Sequence, residues 1–403
     1  MSSPMDSTEA LARAARLRPA FAERALETEQ ARRLPELTLR ELHASGLFRL
    51  LQPSRVGGGE LGIAALVEVS AELARGCAAT AWVVANLASH HWMLGMWPEA
   101  AQDEVWGEGG SDAGGNALIG SALIFPAGRA MPVAGGYTLS GRWGFSSGID
   151  DCDWVMLGAI VAGEGMDPFA DTAGEYRLFL LPKRDFQVKD TWQVVGLCGS
   201  GSNEVGVVKT HVPQQRTLPL AAVQGGASPG TGVNPGPLYR IPVLPTFGYV
   251  VAGVALGIAQ GALDLFEREN RLTSYSGRML ADFGSVHARV AEAGASIDAA
   301  RRILLGNCAD IMADAAREAP PSLLEKVRLR RDVAFAAQLA RRAVDLLFDA
   351  SGGAALFLAH PAQRALRDIR AACAHIALNW DAAASTYGRV ALGHSADLPP
   401  YER

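Results

Sequence analysis

Across residues 7 to about 33, apolar positions recur at the spacing of an amphipathic helix, with Ala and Leu on one face, Arg and Glu on the other, and Pro35 as the stop. A second helical run starts at Thr38 and ends at Gly46, and Ile63, Leu66, Val67, Ser70, Leu73 and Ala74 mark one face of a third. Between Ala117 and Leu220 the pattern changes to short β-prone runs at 154–161, 176–181 and 205–208, separated by Gly, Pro and Asp. That predicts a compact sheet or barrel. Gly225-Gly226-Ala227-Ser228-Pro229-Gly230, continued by Gly232, Pro235, Gly236 and Pro237, reads as a linker. Beyond Phe247 helical spacing returns through 281–317, 322–350 and 361 to about 392, which predicts a bundle of four long helices. The organisation expected is a helical domain (1–115), a β-domain (116–222), a linker (223–245) and a helical bundle (246–403), with no tandem repeat.

Composition narrows the function. A chain of 403 residues with 49% hydrophobic content buries a large core in two or three domains. Its net charge of -5, with Lys and Arg scattered, offers no field for a phosphate backbone, so nucleic acid is not an expected partner. The apolar run 247–263 is interrupted by glycines and Gln260 and falls short of the ~20 residues of a membrane span, so it is expected at the centre of the bundle. The N-terminal residues carry no basic and apolar signal, and a cytoplasmic location is expected. Cys77, Cys152, Cys198, Cys308 and Cys373 form no C-x-x-C pair and are read as small buried hydrophobes, with no metal site.

The densest chemistry lies at Gly141-Arg142-Trp143-Gly144-Phe145-Ser146-Ser147-Gly148, where two rings, two hydroxyls and permissive glycines meet at a strand end. Gly144 to Gly148 also fits G-x-S-x-G, but an acidic turn and another strand follow where a hydrolase elbow needs a helix. A tight strand end with serines bonded to local backbone is the plain alternative. Gly196-Leu197-Cys198-Gly199-Ser200-Gly201-Ser202 completes neither a dinucleotide fingerprint nor a P-loop. His90 and His91 are adjacent on a helical stretch and cannot both face one ligand, and no H-E-x-x-H accompanies them. His375 falls on a predicted helix, where a satisfied core histidine is the ordinary reading.

Taken together, these segments resemble the acyl-CoA dehydrogenase fold, an α+β and mostly helical architecture. Trp143 to Gly148 is similar to the strand whose Ser or Thr reaches flavin N5, and Ser121 to Ala130 is similar to the preceding flavin-cradling strand and loop. Gly352-Gly353, His360-Pro361-Ala362-Gln363-Arg364 and Arg367-Asp368 resemble the C-terminal signature. The nearer resemblance is to flavin-dependent monooxygenases of that fold, the oxygenase components of two-component aromatic hydroxylases. It is carried by the segment from Ser45 to Pro53 and by Arg75-Gly76-Cys77, Thr80-Ala81-Trp82, Asp190-Thr191-Trp192, Gly196-Leu197 and Arg367 to His375. Dehydrogenases of the family supply a glutamate base where this chain reads Ala374-His375-Ile376-Ala377.

The resemblance implies a flavin reduced by a separate NAD(P)H:flavin reductase, FMN in preference to FAD, with O2 as co-substrate and a C4a-hydroperoxyflavin as oxidant. A phenolic or polycyclic aromatic is the implied substrate, with an N- or S-oxygenase or a flavin dehydrogenase as the alternative. Ser121, Trp143, Phe145, Ser146 and Ser147 are the implied flavin contacts, with Ser147 near N5 and the two rings as a dry wall. Arg271 or Arg278 is expected to meet the flavin phosphate of a neighbour in a homotetramer. His90 is the expected base toward the phenol, preferred to His91 by its spacing to Trp92 and Pro98, and His375 the group that positions oxygen or substrate.

Overall fold

Local signals place the N-terminal helices. The Asp6 carboxylate caps α1 (Ser7–Glu23) by accepting the Glu9 N–H at 2.8 Å. The run predicted as one helix breaks at Arg24, and α2 (Ala25–Ala31), α3 (Glu36–Ser45), α4 (Ile63–Ala74), α5 (Ala78–Leu94) and α6 (Glu99–Trp106) follow. α5 is buried at every position, so it is a core helix without a solvent face. The computed structural model describes residues 5–107, 114–123, 127–162, 174–270, 274–275, 278–318 and 321–396.

The β-rich region forms one sheet from β1 (Ile119–Ala122), β2 (Gly128–Val133), β3 (Gly136–Ser146), β4 (Trp154–Val161), β5 (Glu175–Pro182), β6 (Gln187–Lys189), β7 (Asn203–Pro213) and β8 (Thr217–Pro219). The strand order is β6-β7-β3-β2-β4-β5-β8, with β1 parallel on β4. A register shift between Trp143 and Ser146 marks a bulge in β3 against β7. The glycine- and proline-rich segment is tied down rather than loose. Gly230 N–H donates to the Met96 carbonyl at 2.9 Å, and the Asn234 amide donates to the Gly95 carbonyl at 2.7 Å.

The last part of the chain is α7 (Val243–Asn270), α8 (Gly284–Ala316), α9 (Leu323–Ala350), α10 (Pro361–Cys373) and α11 (Trp380–Ala391). The glycines that interrupt the apolar run of α7 are its packing surface. A Cβ at Gly257 would stand 2.1 Å from the Ala71 carbonyl oxygen, and one at Gly253 would stand 2.7 Å from that of Val67. Only glycine lets α7 cross α4 this closely. α7 is long and apolar enough to span a membrane, yet 78% of its apolar window is buried inside the molecule.

The fourth long helix differs from expectation. It ends at Cys373, and His375 adopts an extended backbone (φ -60, ψ 135) before a short 3-10 turn and α11. His375 stands in a corner, its Nδ1 accepting the Ala377 N–H at 3.2 Å. Helical periodicity runs through this corner because neither Pro nor Gly marks it.

Candidate active site

Trp82, Asn86 and His90 lie at four-residue spacing on α5 and so share one face. That face meets the β-domain. The Trp82 indole donates to Ser147 Oγ at 3.0 Å, and His90 packs against β1. His90 Nδ1 lies 2.5 Å from the Ile119 carbonyl oxygen, and its Nε2 lies 2.7 Å from Ser121 Oγ. A carbonyl only accepts, so Nδ1 carries the proton and Nε2 presents a lone pair that the Ser121 hydroxyl fills. Burial pushes the His90 pKa down to about 4, against the opposing pull of the Ile119 hydrogen bond.

His91 turns the other way. Its Nδ1 accepts the Trp106 indole N–H at 3.2 Å, the rings stack at 5.9 Å, and burial pushes its pKa down to about 3. Between the two adjacent histidines, only His90 reaches the β-domain.

Ser146 and Ser147 do different things. Ser146, fully buried, donates to the Ser121 carbonyl at 3.0 Å and fastens the end of β3 to β1. Ser147 Oγ joins a chain of hydroxyls, lying 2.9 Å from Ser202 Oγ, which is 2.8 Å from Ser200 Oγ. Gly148 in the left-handed region (φ 68) turns the strand end so that its N–H donates to the Ser200 carbonyl at 2.8 Å.

Trp143 and Phe145, expected to wall the flavin together, are separated by the bulge. Trp143 is 1% exposed and Phe145 74% exposed. Trp143 donates its indole N–H to the Gly158 carbonyl at 2.8 Å, and its ring leaves no room for a Cβ at Gly128 or Gly141. It is core packing. Phe145, at φ 64, is strained into the left-handed region and meets Trp192 edge-on at 5.9 Å. Arg271 and the side chain of Arg278 lie outside the described residues.

His375 lies 5.8 Å from the Trp82 ring and 6.1 Å from Phe247. Its Nδ1 accepts from Ala377, so the neutral ring carries its proton on Nε2. Burial pushes its pKa down to about 4. Trp82 thus touches both Ser147 and His375, and joins the helix corner to the strand end.

The loop carrying Ser200 and Ser202 is held from α10. Asp368 accepts the Leu197 N–H at 2.7 Å, and a Cβ at Gly196 would stand 2.2 Å from the Arg367 carbonyl oxygen. Burial pushes the Asp368 carboxyl up to about 6, with the Leu197 bond opposing. Arg364 and Arg367 both pair with Glu29 of α2. Trp82, Ser200, Ser202 and Asp368 went unassigned from the sequence. The first and last lay within segments that carried the family resemblance, and the two serines within the glycine-rich loop.

The residues fit a flat, polar-edged cofactor. Among the described residues, nothing stands within 4 Å of a Cβ built at Gly144 or at Gly206, on the paired strands β3 and β7, which leaves bare backbone beside the exposed Phe145 at Gly144. A hydroxyl able to donate or accept stands at Ser147, and an imidazole that offers an Nε2–H stands at His375.

Comparison with known proteins agrees with this reading. Residues 7–108 match the N-terminal domain of acyl-CoA dehydrogenase, and residues 249–380 match its C-terminal domain. The chain is 35% identical to the oxygenase subunit HsaA of a flavin-dependent monooxygenase from Rhodococcus jostii, over 92% of this chain and 95% of that one. It is also 35% identical to the oxygenase component of an FADH2-dependent resorcinol hydroxylase from Rhizobium sp., over 93% and 91%. Among solved structures, XiaF from Streptomyces sp., in complex with FADH2 and glycerol, superposes with a TM-score of 0.88 at 29% identity over 98% of this chain and 97% of that one. The chain belongs to the acyl-CoA dehydrogenase family, among its flavin-dependent monooxygenase oxygenase components.

Proposed function

We propose that this oxygenase hydroxylates a phenolic ring, taking reduced flavin from a separate NAD(P)H:flavin reductase, and that His90 and Ser121 receive the phenol hydroxyl. The observation that carries this reading is the His90 tautomer, with Nδ1 tied to Ile119 and a lone pair on Nε2. When bound, the reduced flavin supplies the electron pair that splits O2, one oxygen atom going to the ring and the other to water. FAD is favoured over the FMN implied by the sequence resemblance because the resorcinol hydroxylase and XiaF, at 35% and 29% identity, are described with FADH2, whereas FMN is described with a neighbour at 21% identity.

A phenol's pKa near ~10 and the His90 pKa of about 4 set the timing of proton transfer. His90 does not strip the phenol beforehand. When the phenol binds, its hydroxyl takes over the Nε2 lone pair from Ser121, which turns to donate to the phenol oxygen, and His90 takes the proton as oxygen transfer makes the ring electron-poor and the hydroxyl acidic. Ser147 faces N5 of the flavin, and His375 offers its Nε2–H to the oxygen or substrate side. Phe145 keeps water off the flavin edge with Trp192 beside it. Exposed Leu356, Phe357 and Leu358 suit burial in a homotetramer.

The test is a single turnover. Protein loaded anaerobically with reduced FAD or FMN is mixed with oxygenated buffer and a panel of phenols, and hydroxylated product and hydrogen peroxide are counted per flavin oxidised. Product is expected from phenols and none from their O-methyl ethers. Equal product from both, or peroxide alone with every phenol, overturns the reading.

A further inference from the structure

Ser147 Oγ has one proton and two lone pairs. One lone pair is taken by the Trp82 indole, which only donates, at 3.0 Å. The remaining lone pair and the proton are divided between Ser202 Oγ, at 2.9 Å, and whatever lies in front of Ser147. Two arrangements follow. If Ser147 donates to Ser202, a lone pair faces the ligand; if Ser202 donates to Ser147, the proton faces it. Ser200 and Ser202 are both almost fully buried, and their hydroxyls lie 2.8 Å apart, so the direction runs along the whole chain without help from water.

We propose that Ser202 is a positioning residue that accepts the Ser147 hydrogen bond when reduced flavin is bound, and donates one to Ser147 when the flavin is oxidised. The inference rests on the reading that Ser147 faces flavin N5. That nitrogen carries a proton in the reduced ring and only a lone pair in the oxidised ring. Reduced flavin therefore selects the direction Ser147 to Ser202 to Ser200, and oxidised flavin selects the reverse. Trp82 fixes the switch at its near end by occupying the same lone pair in both. Without Ser202 the Ser147 proton has no acceptor except the ligand, so only the arrangement that suits oxidised flavin survives.

Flavin affinity reads this out without turnover. Dissociation constants for oxidised and reduced flavin are measured anaerobically on wild type, Ser147→Ala, Ser202→Ala and Ser202→Thr. Ser202→Ala is expected to weaken reduced flavin by about fivefold to tenfold relative to oxidised flavin, the worth of one hydrogen bond near a ligand. Tenfold corresponds to a bound-flavin potential about 30 mV more negative. Ser202→Thr, which keeps the hydroxyl, is expected to restore the wild-type ratio. A Ser202→Ala ratio equal to wild type, with a changed Ser147→Ala ratio, overturns the switch and leaves the Ser147 contact standing. An unchanged ratio in Ser147→Ala removes the contact itself. A threonine variant that behaves like the alanine one also overturns the proposal.

Discussion

His90 and His375 are both imidazoles that burial keeps neutral, each with its pKa pushed down to about 4, yet the backbone holds them by groups of opposite polarity. At His90 a carbonyl from β1 fixes the proton on Nδ1 and leaves Nε2 to accept. At His375 an N–H two residues further along fills Nδ1 and leaves Nε2–H to donate. The same side chain is a proton acceptor at the end of the core helix and a proton donor at the helix corner. What separates them is the backbone group each ring meets, more than the titration of either ring.

Substituting glutamine at each position is the strongest way to break this comparison. An amide cannot take a proton, so His90→Gln is expected to lower product formation by roughly 10²- to 10⁴-fold. His375→Gln still offers an N–H and is expected to lose less than about tenfold, the scale of one hydrogen bond. Equal losses in single-turnover product yield mean that the two rings do not differ in polarity.

Acid titration tests whether both rings stay neutral. Their folded pKa values of about 4, and that of His91 at about 3, lie below the ordinary 6.5. The unfolded chain therefore binds more protons below that pH, and stability falls as pH drops from about 6.5 toward 4. Asp151 and Asp368 act against this, because burial raises both to about 6 and the folded state holds their protons down to the ordinary 3.8. The three histidines outnumber the two carboxyls, and His43 is also held below its ordinary value by burial, so the net slope keeps the histidines' sign and stability falls toward acid. Denaturant midpoints between pH 7 and 4.5 measure it. His91→Phe should flatten the slope, and a stability that rises toward pH 4.5 would contradict neutral imidazoles.

The smallest effect concerns Ser121. Ser121→Ala removes the hydroxyl on His90 Nε2 and is expected to weaken substrate binding by about fivefold, near 1 kcal/mol, with flavin affinity unchanged. Loss of flavin affinity instead would return Ser121 to the flavin side of the site.

Much of the fold was legible because helices and strands write their period into neighbouring residues. The resemblance to the flavoprotein family was carried by contiguous segments for the same reason. The misreadings share a cause. Trp143 and Phe145 are two residues apart and alternate onto one face of a regular strand, but the bulge buries one ring and exposes the other. The residues predicted to form one helix from 361 to about 392 are broken at His375 by a backbone turn that hydrophobic spacing does not register.

By itself the sequence determined the order of helical and β-rich segments, the net negative charge, the family and the short list of hydroxyls and imidazoles. These depend on composition and on residues close in the chain. Only the tertiary structure decided what those groups can do. His90 accepts because a carbonyl 29 residues away meets its ring, and Ser147 joins a hydroxyl chain because Ser202, 55 residues on, is held beneath it by a loop anchored on Asp368. Hydrogen-bond direction depends on which group arrives from elsewhere in the fold, and the spacing of residues along the chain does not carry that information.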